Sequence, residues 1–528
     1  MKRRNLTSQP GRAPLGLHPL ARSRPFVAGA GALALAGTLA ACDATAAADD
    51  AGDFFDASSV HTVAVDYDED DYQEMLDTYA DTGEKDWISA TVTIDGEEYE
   101  DVGLRLKGNS SLRGLGGDGG GQQGDAPQDD AQDTAADATD DPTDAATDDQ
   151  QGDDQQQAPG FAEGDGTASA DDPAGLPWLI RLDKYVDGQE HDGRADFVVR
   201  GNNTESSLNE AVALKVLELA DVPAERASYA RFSVNGSDEQ LRLVLDLPDD
   251  DLWNEDNYPD GGITYKADAE GDWGVKDDAA AYAESFEAQY DSSGSTDDDA
   301  AYEPLATFIE FVNDSSDEEF AANLGDHLDV DSFANYLAVQ DLVANSDDID
   351  GPGNNAYLHY DPDSGLMEVV AWDQNLSYGG MGGMGGMGAP GGQGGGQAGE
   401  RPDAGELPDG GQPPEGMEPP DGAGQGAGQG AGQGGGPGGG GFGGRENPLA
   451  TRFLENDDFK AAYESAVEDL TASIYDSGDA QDYLDSLTST LSAEASDLVD
   501  ADTLKSESQS VADMLTADAV ESGQGAGD

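Results

Sequence analysis

Asn345-Ser346-Asp347-Asp348-Ile349-Asp350-Gly351, Asn355-Ala356-Tyr357-Leu358-His359 and Ala371-Trp372-Asp373-Gln374-Asn375 are the segments on which the reading of this chain turns. Asp347 is followed eight residues later by Asn355, and Asp373 comes after one further apolar run. An acid, an amide at that distance and a second acid beyond a short strand suit phosphoryl transfer. The first accepts the proton of a hydroxyl nucleophile; the other two hold Mg²⁺ on nucleotide phosphates. On this spacing Asp347 is the catalytic residue, with Asp348 and Asp350 as alternatives, and Asn355 and Asp373 are metal ligands. The competing structural readings are a turn acid, a turn amide and a strand-terminal cap. A calcium loop does not fit: with Gly351 sixth, Ser346 is first and Tyr357 twelfth, where an EF-hand needs an acid or amide and a Glu.

Composition narrows what surrounds this block. The 528 residues carry a formal net charge of −86 and include nine Lys. Such a field repels nucleic acid and anionic lipid, which argues against a nucleic-acid partner and favours cations or basic proteins. Acids are so abundant that one Asp says little, whereas each Lys is informative. Residues 114–176 contain no Lys or Arg, and residues 379–445 are mostly Gly, Pro, Gln and Met. Neither stretch has the apolar content to offset chain entropy, so both read as long disordered insertions. Met381, Met384 and Met387 within the second fit a flexible linker better than a soft-metal site. What is left, about 330 residues, can build one sizeable core.

The N-terminus reads as an export signal. Lys2, Arg3, Arg4, Arg12, Arg22 and Arg24 precede an apolar run from Pro25 to Ala41 that is short for a membrane span. It closes in Leu39-Ala40-Ala41-Cys42, which resembles a bacterial lipobox. Residues 1–41 are expected to be a lipoprotein signal peptide, Cys42 the lipidation site and 42–57 a tether. The protein would then sit on the outer face of the cytoplasmic membrane, its membrane contact being the lipid on Cys42. Cys42 is the one cysteine, which excludes a disulfide framework.

Between these features the hydrophobic periodicity is mixed. Alternation gives a strand at Val60–Val65 and a hairpin of Ile88–Ile94 and Tyr99–Leu106 around Asp95-Gly96. It gives a further strand over 177–185 and a second hairpin of Ala227–Val234 and Leu241–Leu247 around Asn235-Gly236. Helical spacing appears at Asp68–Tyr79, 208–219, Leu305–Val312, Val330–Ala344, Asn447–Leu487 and Leu491–Met514. The acidic stretch between Leu247 and Leu305 reads as irregular. The class is α+β, with a β-rich N-terminal half and a helical C-terminal half.

Six segments in order resemble the spore-coat protein H (CotH) kinase family. They are Leu104-Arg-Leu-Lys-Gly-Asn-Ser-Ser111, Ile180-Arg-Leu-Asp-Lys184, Leu208-Asn-Glu210 with Val222-Pro223, Val234-Asn-Gly236, Ile263-Thr-Tyr-Lys-Ala267 and the 345–379 block. The resemblance implies an atypical protein-kinase-like fold over 58–113 and 177–378, completed by C-terminal helices at 446–520 and followed by a tail at 521–528. It also implies ATP and Mg as cofactors and a protein Ser/Thr substrate, which the export signal would place in the cell envelope. Two positions depart from the family pattern: Ala371 stands where a proline is usual, and Asn375 where a second Asp is usual.

The nucleotide phosphates need a cation, and Lys107, Arg181, Lys184 and Lys266 are the candidates. Lys107 precedes a Gly-Asn-Ser-Ser loop; Arg181 and Lys184 would lie on opposite faces of one strand, since their separation is odd. Glu210 would pair with such a cation, though Ser207-Leu-Asn-Glu210 is equally a capping box. The alternative function is a non-catalytic surface module of the same fold that binds cations or a partner protein.

Overall fold

The computed structural model describes residues 53–108, 110–112, 115, 168–268, 271–296, 299–345, 347–349, 351, 355–379 and 447–524. The signal segment with Cys42, Asp350 and most of both expected insertions, including the Met run, lie outside the described residues. So do the last four residues of the expected tail. The last stretch of the first insertion does not. Residues 168–176 pack on the protein, with Leu176 and Ala174 buried and Ala170 O accepting from the Tyr72 hydroxyl. The expected tether also reaches into the core, because Phe54 and Phe55 are buried beside Phe197. Aromatic side chains of that size recover enough apolar burial to hold both segments.

The N-terminal half is β-rich, as expected, but its sheet closes on itself. Strand β1 (Val60–Tyr67) is followed by helix α1 (Glu69–Thr82), then β2 (Ile88–Ile94), β3 (Glu97–Leu106), β4 (Trp178–Arg181) and β5 (Asp196–Val199). Helix α2 (Leu208–Leu219), β6 (Ala227–Val234) and β7 (Gln240–Leu245) complete this part. The strands form a seven-stranded barrel in the order β1-β2-β3-β4-β5-β7-β6, and β6 pairs in parallel with β1 to close it. Asp95 and Gly96, like Asn235 and Gly236, adopt positive φ, which gives the two hairpins the turn twist that suits antiparallel strands. Alternation then sends one set of side chains inwards. Val63, Val65, Val92, Leu104, Trp178, Ile180, Phe197, Phe232 and Val234 form one buried cluster.

The acidic stretch after Leu247 is more ordered than its composition suggests. It contains α3 (Asp251–Asn257), β8 (Ile263–Ala267) and β9 (Phe286–Asp291). Each carries few apolar residues, but those are large and buried, as with Trp253, Tyr265 and Phe286. Helices α4 (Glu303–Asp314), α5 (Asp317–Asn323) and α6 (Val330–Val343) lead to β10 (Ala356–Asp361) and β11 (Leu366–Ala371). The second sheet is antiparallel in the order β11-β10-β8-β9. Among the described residues α7 (Pro448–Glu455), α8 (Asp457–Leu470), α9 (Asp479–Glu494), α10 (Ala501–Ala512) and α11 (Ala517–Gln524) follow. Helix α2 is apolar almost all round and lies in the second core cluster with α6, β10, β11 and the C-terminal helices. It joins the barrel to the helical half.

One buried charge fixes the end of the barrel. Asp246, just after β7, is fully buried and accepts from the Arg226 backbone N–H and from the Nε of Arg194 and of Arg226 at 3.2 Å. Asp246→Ala leaves Arg194, 3% exposed, with the exposed Asp256 and the Gly193 carbonyl as partners but without a buried carboxylate. The variant should lose roughly 3 kcal/mol of unfolding free energy, read as a lower urea midpoint at unchanged slope. An unchanged midpoint would contradict this account of the barrel end.

Candidate functional site

The β10–β11 hairpin presents the sequence block at one end. Ala356 pairs with Ala371, so Asn355 and Trp372 leave the hairpin side by side, with Asp373 next in line. The side-chain amide of Asn355 donates to Asp347 O at 2.9 Å, and its backbone N–H donates to Asp348 O at 3.2 Å. The Asp347 N–H donates to the side chain of Asn345, whose own amide reaches Gln340 and Gln374. Asp347 is partly exposed, whereas Asp348 is 8% exposed. Gly351 lets the loop fold back on itself: a Cβ there would lie 2.6 Å from the Asp347 Cα. Asp347, Asn355 and Asp373 therefore share one end of the hairpin.

A buried ion cluster stands behind Asp373. Arg200, just past β5, places its Nε 2.9 Å from Glu210 in the first turn of α2 and donates from an Nη to Asp373. The Asp373 N–H points at Glu225, at 3.4 Å. Burial raises the Glu210 carboxyl, and Arg200 opposes that rise. Glu225, 3% exposed, is pushed up to about 8 by burial, with Arg200 opposing and Glu210 and Asp373 adding to the shift. Arg200 itself is held above its usual range, since its two carboxylate partners outweigh its burial. The capping-box reading of Glu210 is overturned. Ser207 sits at φ 49, ψ 27 and makes no side-chain cap, which leaves the Glu210 carboxylate to Arg200.

Two of the expected cations converge on Trp372. Lys107 Nζ lies 5.9 Å and Lys266 Nζ 5.6 Å from the ring centroid, while Tyr357 packs edge-on at 5.4 Å. The Tyr357 hydroxyl donates to Asp249 at 2.6 Å. Burial would raise Asp249, but Lys266, Lys107 and that hydroxyl overcome it and hold the carboxyl low. Positive charge is thus gathered beside Asp373 in a chain that is overwhelmingly acidic.

Arg181 and Lys184 behave differently from expectation. The strand stops at Arg181 and turns, so the odd separation no longer sends the two side chains to opposite faces. Both approach Trp87, at 5.4 Å and 5.1 Å, together with Arg105 at 4.4 Å. Arg181 is also bound to the buried Asp196 by two hydrogen bonds of 2.9 Å and 2.8 Å. Neither residue is the partner of Glu210.

Sequence reasoning missed Arg200, Glu225 and Asp249. Arg200 closes the apolar run Phe197-Val198-Val199, and a cation at that place in an acid-rich chain was the available signal. Glu225 and Asp249 carried none, being two acids among 111. Among the described residues no group of three His, Cys, Asp or Glu side chains is arranged to hold a metal ion.

The protonated Glu225 has a consequence for stability. Its folded-state value of about 8 lies above the ordinary 4.5, so the folded chain keeps a proton that the unfolded chain releases. This contribution is complete below about pH 4.5 and is lost as pH rises through about 8. Glu225→Gln removes it. The stability of the wild type relative to this variant should fall between about pH 5 and about pH 8, measured by urea unfolding. Parallel pH profiles would show that Glu225 is ionised in the folded protein.

Comparison with known proteins bears on this geometry. The sequence profile of the CotH kinase protein family matches residues 169–516, about two thirds of the chain. Inner spore coat protein H of Bacillus subtilis (strain 168) is 27% identical over 155 residues, which cover 29% of this chain and 41% of that protein. The chain thus spans less than half of that relative's length. The matched region contains Arg200, Glu210, Lys266, Asp347, Asn355 and Asp373, and by its extent this chain belongs to the CotH kinase family.

Proposed function

We propose that the chain is a CotH-like protein kinase that transfers the γ-phosphoryl group of ATP to Ser or Thr of a cell-envelope protein, with Mg²⁺. The observation that carries this reading is the convergence of Asp347, Asn355 and Asp373 at one hairpin end beside Lys107 and Lys266. The fold it implies is kinase-like, with the barrel half covering the nucleotide and the helical half presenting the substrate. We extend the proposal to export and anchoring through a lipid on Cys42.

The donor set suits Mg²⁺ brought in on phosphates. That ion needs only one or two protein ligands and keeps phosphate and water oxygens for the rest. Asp373 offers a carboxylate. The Asn355 amide nitrogen is used on Asp347 O, which turns its carbonyl oxygen into the group available to a cation. Bound Mg·ATP supplies the phosphoryl group and part of the charge neutralisation. Lys107 and Lys266 neutralise phosphate oxygens at the face of Trp372. Arg200, held by Glu210, orients the Asp373 carboxylate. Asp347, partly exposed, accepts the proton of the incoming hydroxyl, a role worth on the order of 10²–10⁴-fold in rate.

Incorporation of labelled phosphate by the protein carrying residues 43–528 is the test. The wild type should incorporate phosphate in Mg·ATP, and Asp347→Ala should abolish incorporation while still binding nucleotide. Asp373→Ala should lose metal-dependent nucleotide binding as well. A wild type that binds no nucleotide at millimolar Mg²⁺ would overturn the reading in favour of a non-catalytic surface module.

A further inference from the structure

Helix α2 begins in an unusual way. Its first-turn residues Asn209 and Glu210 hold the site: Glu210 pairs with Arg200, and the Asn209 amide donates to Asn375 O at 2.8 Å and Ser377 O at 3.2 Å. Yet its N-cap residue, Ser207, is left-handed and contributes no side-chain cap. A non-glycine residue in that conformation is strained and persists only where its surroundings impose it. Part of that constraint is local, the Ser207 N–H donating to Thr204 Oγ1 at 3.0 Å, and part comes from the C-terminal helices. Glu507 on α10 accepts from the backbone N–H of Glu205 and of Ser206, both at 2.9 Å, and from the Ser206 hydroxyl. One carboxylate thus takes two backbone donors and a hydroxyl in the loop that sets where α2 starts.

The same helix turn is tied to the loop after Asp373. Asp373 and Tyr378 both adopt positive φ, and Tyr378 meets the hydroxyl of Tyr475, which donates in turn to Leu342 O at 2.6 Å. A path of backbone and hydrogen bonds therefore links these places, with Asp373 reached through Glu210 and Arg200 rather than through Asn209. It runs from Glu507 through the start of α2 to the loop 374–379.

We infer that Glu507 is a positioning residue. By fixing the start of α2 from the C-terminal helices, it sets Glu210 on Arg200 and Asn209 on the loop after Asp373. The inference deepens the kinase reading of Asp373 and rests on it for its consequence in activity. The structural coupling stands apart from that reading.

The test uses Glu507→Gln, which keeps size and one acceptor but cannot serve all three donors, and Ser206→Ala, which removes only the hydroxyl contact. Backbone amide hydrogen exchange on the 43–528 protein should rise at 205–212 and at 373–379 in Glu507→Gln, with β8 and β9 unchanged. Ser206→Ala should give a smaller rise at the same places. Phosphate incorporation at saturating Mg·ATP should fall by about tenfold with nucleotide affinity changed less than about threefold, because positioning acts on the chemical step. Faster exchange confined to 205–212, or spread evenly over the protein, would overturn the inference. If exchange changes as expected but the wild type transfers no phosphate, the coupling holds and the kinase reading fails.

Discussion

The buried ion pair of Arg200 with Glu210 and Asp373 is the constraint on which the rest of the arrangement depends. It joins the end of a barrel strand and the first turn of α2 to the second residue after β11, 173 residues on from Arg200. A guanidinium presents several donors in a fixed fork, so it can hold two carboxylates at once where a Lys would act as a point charge. Buried charges of this kind contribute little net stability, since desolvation offsets much of the attraction. What they provide is definition: there are few ways to place one Arg and two acids without leaving a charge unsatisfied. Glu225, close by, has its carboxyl pushed up to about 8 by burial, which favours its neutral form and limits the negative charge of the cluster.

Around that cluster the fold sorts charge. The chain is strongly acidic, yet Lys107 and Lys266 share the Trp372 ring, and Arg105, Arg181 and Lys184 gather at Trp87. Aromatic faces stabilise these cations, and the two ammonium groups at Trp372 also act on the buried Asp249 carboxylate.

Much of this was legible in the sequence, for identifiable reasons. Asp95-Gly96 and Asn235-Gly236 fixed both hairpins because the turn chemistry is local, and α2 spans 208–219 as its periodicity indicates. The 345–379 block could be read because its parts lie close in sequence and meet across one hairpin. Barrel closure could not: it rests on the parallel pairing of β1 with β6, about 170 residues apart, which leaves no local signal. The order within 248–304 was hidden by acidic composition, although Trp253, Tyr265 and Phe286 supply its core contacts. Arg200 was overlooked because its partners stand 10 and 173 residues away. Conversely, the Ser207–Glu210 capping box was legible and wrong, since tertiary pairing with Arg200 competes with the local contact.

The hairpin end formed by Asp347, Asn355 and Asp373 is proposed to face nucleotide phosphates held by Lys107 and Lys266. A crystal structure with Mg²⁺ and a non-hydrolysable ATP analogue tests it most directly. Phosphates against Lys107 and Lys266 and the metal on Asp373 and Asn355, with Arg200 still paired to Glu210, are the expected result. Nucleotide bound elsewhere, or phosphates seated at Trp87 with the metal away from Asp373, would contradict it.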